Sequence, residues 1–165
     1  MNIYQLSTLG EPNFTTIERD SIEDKTLISN VEKGNIQFIT KDSIELNLKT
    51  DIAVNAPDIF TSPLPLISNE VKELFDKLGI DYIFYKPVYL YDDFFDEKTL
   101  YWLAVIPKIQ CMNPEKEENV IGHVGKFMIF RIKESSGAAI YVTDQMKEIL
   151  ESNKFKGILF TKYKY

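Results

Sequence analysis

The sequence predicts a single α+β domain over residues 1–165, in which two amphipathic helices pack on a mixed or mostly antiparallel sheet. Three observations support this fold class. Two segments have the apolar spacing of a helix, each is followed by a run of β-branched and aromatic residues, and the N-terminal part alternates apolar and polar residues. A chain of 165 residues has the usual size of one domain, and its 44% of hydrophobic residues is enough for a core.

The N-terminal part, residues 1–56, is predicted to be β-rich. Ile3 and Leu6 indicate a short first strand. Apolar residues then recur at every second position in two runs, Ile36 and Phe38 followed by Ile44, Leu46 and Leu48. The polar residues between these runs are typical of a hairpin turn. A stretch dense in proline, from Pro57 to Pro65, predicts an extended connection to the rest of the chain.

A helix is predicted over residues 69–78. Ser68 is a suitable N-cap, and Gly79 is a suitable residue to end the helix. Apolar residues fall on one helical face, at Val71, Leu74, Phe75 and Leu78. The next residues, from Ile80 to Tyr91, are rich in the aromatic and β-branched residues of a strand.

The same helix–strand unit occurs again 75 residues later, so residues 57–165 are predicted to contain an internal duplication. Thr143 takes the place of Ser68, and Lys147-Glu148 takes the place of Lys72-Glu73. The second helix is predicted over residues 144–152, with a strand beginning near Gly157. The predicted core is drawn from both units and the strands between them: Val71, Leu74, Phe75, Leu78, Ile83, Trp102, Leu103, Val105, Phe130, Ile149 and Ile158.

Charge and composition exclude several classes of function. The formal net charge is −6, divided between −9 for residues 1–100 and +3 for residues 101–165. Such an acidic chain does not predict nucleic-acid binding, which needs clustered basic residues. No apolar run approaches the roughly 20 residues that span a membrane. The N-terminus lacks the features of a secretory signal, and Cys111 has no partner for a disulfide, so we expect a cytoplasmic protein.

No sequence motif predicts a catalytic, cofactor or metal site. One cysteine and one histidine exclude the usual zinc sites. Cys111 and His123 would form a nucleophilic pair only if they meet in space. A cysteine in an apolar strand is more often buried and inert. Two weaker candidates remain. The acidic loop around Glu115, Glu117 and Glu118 is typical of a solvated turn, and the alternating lysines and tyrosines at residues 161–165 are a weak signal for stacking on RNA bases.

An acidic and aromatic cluster between two predicted strands is the candidate partner-binding site. It consists of Asp92, Asp93, Phe94, Phe95, Asp96 and Glu97. A pair of carboxylates acts as general acid and base only when one of them is buried. A loop of this composition is more often solvated. Its phenylalanines can anchor a partner while its charges attract a basic one.

Three segments of the chain resemble immunity proteins of bacterial polymorphic-toxin systems. They are residues 57–88, residues 100–113, which read LYWLAVIPKIQCMN, and residues 127–160 with the phrase IFRIK followed by Val-Thr and a helix. The resemblance is to a family formerly classified as a domain of unknown function. Its members end in a repeated unit that consists of a helix cap, a helix, a Gly-Ile pair and a strand. No functional residue is carried over from that family.

The resemblance implies a stoichiometric inhibitor that binds and neutralises a cognate toxin domain, without catalysis and without a cofactor. An acidic body would suit a basic toxin through electrostatic steering. Two alternatives stay open at this point. One is a general protein–protein interaction or regulatory domain, and the other is a small enzyme that depends on carboxylates or on Cys111.

Overall fold

The computed structural model describes residues 2–10, 13–49, 55–110, 112–113, 118–119, 126–133, 135 and 138–164. The fold is α+β, with 23% helix and 36% strand. The helices of this part of the chain are α1 (Leu27–Lys33), α2 (Asn69–Lys77) and α3 (Asp144–Ser152). The strands are β1 (Ile3–Thr8), β2 (Ile44–Asn47), β3 (Ile59–Phe60), β4 (Leu66–Ser68), β5 (Phe84–Asp92), β6 (Glu97–Val105), β7 (Lys108–Ile109), β8 (Met112–Asn113), β9 (Glu118–Asn119), β10 (Ile129–Ile132), β11 (Ile140–Thr143) and β12 (Ile158–Lys162).

Ten of these strands form two mixed sheets of five. The first sheet has the order β2-β5-β6-β4-β3, and the second has the order β12-β1-β11-β10-β7. Each sheet has one parallel pair, β2 with β5 and β7 with β10, and its other pairs are antiparallel. Strands β8 and β9 pair separately.

The predicted duplication corresponds to two units of the same topology. In each unit a strand, a helix and a second strand follow one another, and a further antiparallel strand lies between the two strands. The first unit is β4-α2-β5 with β6 between, and the second is β11-α3-β12 with β1 between. The registers agree at the offset of 75, because Trp102 pairs with Ile67 and Pro87, and Tyr4 pairs with Val142 and Lys162.

The predicted helix caps are confirmed in both units. The Ser68 hydroxyl accepts a hydrogen bond from the Val71 N–H at 3.4 Å, and the Thr143 hydroxyl accepts one from the Met146 N–H at 3.3 Å. Each bond satisfies a backbone donor that the first turn of the helix leaves free. Gly79 has φ of +70°, which ends α2 as expected for a glycine after a helix.

A shared core joins the two units. It contains buried residues from both sheets and both repeated helices: Leu6, Ile59, Ile67, Val71, Phe75, Ile80, Ile83, Ala104, Ile106, Ile129, Ile140, Val142, Met146 and Leu150. The opposite face of the first sheet is covered by α1 and its flanking residues, which bury Leu27, Val31 and Ile39 against Leu66 and Leu103. Six members of the predicted core are buried, namely Val71, Phe75, Ile83, Leu103, Val105 and Phe130.

Other sequence predictions are corrected by the structure. Ile36 and Phe38 were expected in a strand, but they lie in a 3-10 turn with 41% and 59% of their surface exposed. The expected hairpin after Phe38 is not formed, because β2 pairs in parallel with β5. Helix α1 was not expected. Leu78 is 37% exposed rather than buried, since it is the C-cap of α2 and follows the last helical residue.

Candidate functional site

The acidic and aromatic cluster is the tip of the hairpin formed by β5 and β6. Asp92 and Glu97 are the last paired residues of the two strands, and residues 93–96 form the turn between them. We call residues 92–97 the hairpin tip. Strands β5 and β6 each contain nine residues, and the tip lies beyond the residues of β6 that pair with β4, which are Tyr101, Trp102 and Leu103.

Local hydrogen bonds fix the conformation of the hairpin tip. The Asp92 Oδ1 accepts hydrogen bonds from the backbone N–H groups of Phe94, at 3.0 Å, and Phe95, at 3.3 Å. This is the turn that an aspartate side chain forms with the residues that follow it. Asp96 has φ of +50°, a left-handed conformation that aspartate tolerates better than most residues. Asp92 is therefore a positioning residue of the tip.

The hairpin tip presents two phenylalanines to solvent. Phe94 is 56% exposed and Phe95 is 48% exposed. Their ring centroids are 5.0 Å apart, with an angle of 76° between the ring planes, so each ring supports the other edge to face. Asp93, Asp96 and Glu97 are also exposed, which confirms the interpretation of this segment as a solvated loop.

Behind the tip, one face of the hairpin carries aromatic side chains covered by a lysine. The Lys98 ammonium lies 4.6 Å from the ring centroid of Tyr89 and 4.9 Å from that of Tyr91. It also pairs with the Glu45 Oε1 of β2 at 3.3 Å. Hydrogen bonds to Tyr91 and to Glu45 raise the pKa of Lys98, so its charge is retained. Tyr89 and Tyr91 are half-buried and are less accessible than the two phenylalanines.

A cavity of about 270 Å³ lies on the other side of the tip. Asp92, Phe95 and Glu97 line it together with Asp58 and Lys156. Its apolar lining comes from Leu48, Ala56 and Leu90, and Tyr101 lies at its wall. The cavity thus combines three carboxylates, one ammonium group and an exposed aromatic ring, a combination that favours a cationic group.

Long-range hydrogen bonds hold the wall of this cavity in place. The Tyr101 hydroxyl donates to the Pro57 carbonyl at 2.8 Å. Burial raises the pKa of the Tyr101 phenol above its ordinary value, so it stays a donor. The Asp58 Oδ2 accepts a hydrogen bond from the Lys156 N–H at 2.6 Å, and the Asp58 N–H donates to the Lys156 carbonyl at 2.9 Å.

Asp58, Tyr101 and Lys156 were not among the predicted site residues. Asp58 lies in the connection before β3, Tyr101 lies in β6, and Lys156 lies in the loop between α3 and β12. Asp58 and Lys156 are 98 residues apart. No local sequence pattern brings these residues together, because their proximity depends on long-range contacts between segments of the fold.

The remaining sequence candidates fall partly outside the described residues. Cys111, His123, Glu115 and Glu117 are outside the described residues, and of Glu118 only the backbone, in β9, is described. Near the C-terminus, Tyr163 is half-buried with its ring 5.0 Å from that of Tyr141, while Lys162 and Lys164 are exposed. The alternation therefore places the tyrosine toward the sheet.

Among the described residues, no group of three or more histidine, cysteine, aspartate or glutamate side chains is arranged to hold a metal ion. None of the helices in that part of the chain is long and apolar enough to cross a membrane. Compared with known proteins, the chain matches no family model, and no curated protein matches it.

Proposed function

We propose that the protein is a non-enzymatic inhibitor that binds a cognate bacterial toxin domain in a stoichiometric complex and neutralises it. The resemblance of three segments to immunity proteins motivates this function. The observation that carries it is the hairpin tip, where Phe94 and Phe95 are both about half exposed among four carboxylates.

The physical properties of the tip are those of a partner-binding element. Aromatic side chains supply much of the energy of protein interfaces, and the rings of Phe94 and Phe95 are already in contact before a partner arrives. Because Asp92 holds the turn, less conformational entropy is lost on binding. The charges of Asp93, Asp96 and Glu97 attract a basic partner and increase the rate of encounter.

The proposal includes a basic toxin domain as the partner and the cytoplasm as the place of binding. The net charge of −6 and the acidic tip support a basic partner. The single cysteine supports a reducing compartment. No cofactor and no catalytic group take part in inhibition, because the protein acts by occupying a surface of the toxin.

Affinity capture from the native cell tests this function. We expect a tagged protein to retain one stoichiometric partner through a high-salt wash, identified by mass spectrometry as the C-terminal domain of a large secreted protein. Expression of that domain alone should stop growth, and co-expression with this protein should restore it. A partner that is not toxic would instead support the general interaction or regulatory function. Failure to recover any partner would contradict both.

A charge-reversed variant tests whether the hairpin tip is the surface that binds the toxin. Asp93→Lys, Asp96→Lys and Glu97→Lys together leave the turn-forming Asp92 in place. The matched control reverses three exposed carboxylates elsewhere, Asp20→Lys, Asp81→Lys and Glu148→Lys, with the same change in net charge. We expect only the first variant to lose protection against the toxin.

A further inference from the structure

Strand β2 lies at the edge of the first sheet, and the described residues cover only part of its outer side. Ile17 forms an antiparallel bridge with Leu48, and the Glu18 N–H donates to the Asn47 carbonyl at 2.8 Å. The Asn47 N–H donates to the Ser21 hydroxyl at 3.0 Å. This pairing then stops, because the chain turns away in the 3-10 turn Arg19–Ser21.

The backbone of Glu45 points to the same outer side as that of Asn47. Strand β2 runs parallel to β5, and the Leu48 N–H donates to the Tyr91 carbonyl at 2.8 Å. In a parallel ladder, alternate residues of a strand bond to a given neighbour. Ile44 and Leu46 therefore face β5 as Leu48 does, and the N–H and C=O of Glu45 are presented at the open part of the edge.

A groove of about 250 Å³ lies beside this open edge. Residues 43–46 form one wall, and Ile22, Leu27 and Ile39 give it an apolar floor. Its charged residues are Glu23, Asp24 and Glu45, against a single Lys41.

Two exposed ion pairs involve described residues of this groove, and one of them joins Glu45 to Lys98 of β6 at 3.3 Å. The Lys41 ammonium lies 3.2 Å from the Glu23 Oε2, but the two side chains are 60% and 85% exposed. So exposed a pair contributes little stability, and it does not prevent a ligand from entering.

From these features we propose that the groove binds an extended, basic segment of a protein partner, which pairs with residues 43–45 as an added strand. The segment lies antiparallel to β2. It extends toward Ser43 the pairing that residues 16–18 make with residues 47–49. Its main chain bonds to Glu45, its alternate apolar side chains enter the floor, and its lysine or arginine residues meet Glu23 and Asp24. Such strand addition obtains affinity from the backbone and specificity from alternate side chains. The site is separate from the hairpin tip, and the proposal does not depend on toxin binding.

Two substitutions of Glu45 distinguish the contribution of its backbone N–H to binding from that of its carboxylate. Proline at this position removes the carboxylate and the outward-facing N–H. An edge strand tolerates this loss because that N–H makes no bond to β5. Alanine keeps the N–H and removes the same carboxylate. We therefore expect Glu45→Pro to bind a segment at least about fivefold more weakly than Glu45→Ala, as for the loss of one hydrogen bond. Equal binding by the two variants would overturn the proposal.

The probe is the capped peptide acetyl-Lys-Val-Lys-Val-Lys-Val-Lys-amide, titrated against isotope-labelled protein and followed by NMR. We expect the largest shifts at the amides of residues 43–45 and at Leu27, and no binding of the peptide in which glutamate replaces lysine. Because this mapping uses the unaltered protein, it holds even if Glu45→Pro does not fold. Shifts confined to other residues, or none at millimolar peptide, would overturn the proposal. So would shifts of the same amides with protein concentration alone, since a second copy would then be the occupant.

Discussion

Lys72 and Lys147 occupy equivalent positions in the two repeated units and make the same set of contacts. The Lys72 ammonium lies 5.0 Å from the ring centroids of both Tyr85 and Trp102. The Lys147 ammonium lies 5.3 Å from the ring of Tyr4 and 5.6 Å from that of Phe160. Each also pairs with a carboxylate one helical turn later, Asp76 at 2.8 Å and Glu151 at 2.7 Å. Each lysine thus connects its helix to two neighbouring strands.

Removing either lysine should destabilise the protein by a similar amount. A cation–π contact at an accessible site contributes about 0.5–1 kcal/mol, and a helical ion pair about 0.3–0.5 kcal/mol. We expect Lys72→Ala and Lys147→Ala each to lower the free energy of unfolding by about 1 kcal/mol, with additive losses in the double variant because the two share no partner. Urea denaturation measures these values, with exposed Lys77→Ala as the control. Clearly unequal losses would contradict the equivalence of the two sites.

Gly157 is required where the second unit meets Pro57. It has φ of +75°, and a Cβ atom at this position would collide with the Cβ of Pro57. Gly79 has a similar φ of +70°, but nothing lies within 4 Å of an added Cβ. We expect Gly79→Ala to cost about 1 kcal/mol of stability, from the left-handed backbone alone. Gly157→Ala should cost at least about 1 kcal/mol more, as overpacking does. Thermal unfolding of the two variants measures this difference. Equal losses of stability in Gly79→Ala and Gly157→Ala would exclude the collision with Pro57.

The Tyr85 hydroxyl should make stability depend on alkaline pH. It is buried and has no hydrogen-bond partner in the described part of the chain. Burial raises the pKa of this phenol above its ordinary value near 10. A raised folded-state pKa gives stability that is present below the unfolded pKa and is lost as pH rises through the folded one. The free energy of unfolding should therefore fall above about pH 10, and Tyr85→Phe should reduce that fall.

At pH 7, Tyr85→Phe should leave stability unchanged or raise it by up to about 1 kcal/mol, because a buried polar group without a partner is unfavourable. Tyr101→Phe is the matched control. Since it loses the hydrogen bond to Pro57, it should lower stability by about 1 kcal/mol. The same loss in both variants, measured by denaturation at pH 7, would show that the Tyr85 hydroxyl has a partner.

Arg131 of β10 is a buried cation whose removal should be favourable. It is 1% exposed, and its three guanidinium nitrogens have no hydrogen-bond partner within the described residues. Burial lowers the pKa of the guanidinium, while Glu32 of α1 acts in the opposite direction. We expect Arg131→Met, which keeps an apolar stem, to raise stability by at least about 1 kcal/mol. A loss of stability in denaturation experiments would indicate that the charge is compensated.

Helices α2 and α3 could be predicted from the sequence because their signals are local. A cap at Ser68 or Thr143 and the apolar residues after it lie within ten positions. The alternation of Ile36 and Phe38 was misleading, since it does not show whether a partner strand is near. Both side chains are exposed, and the chain has turned at Gly34, whose φ is +72°. The place of β1 between β11 and β12 depends on pairing across more than 130 residues, which no local pattern encodes.

The candidate site could be predicted in part for the same reason. The six residues of the hairpin tip are contiguous, so their charge and aromatic character are visible in the sequence, and the turn between two strands was expected. The cavity beside the tip was not, because Asp58 and Lys156 line it from positions 98 residues apart in the chain.

The most direct test of the central claim is the dissociation constant of the captured partner for a tip variant. Phe94→Ala and Phe95→Ala together remove both rings, while the Asp92 turn stays. Interface residues of this kind cost about 2 kcal/mol or more when truncated, so we expect at least about thirtyfold weaker binding than for the unaltered protein. The control Phe38→Ala removes another exposed ring, at 59% exposure, and should bind normally. Unchanged affinity of the tip variant would contradict binding through the hairpin tip.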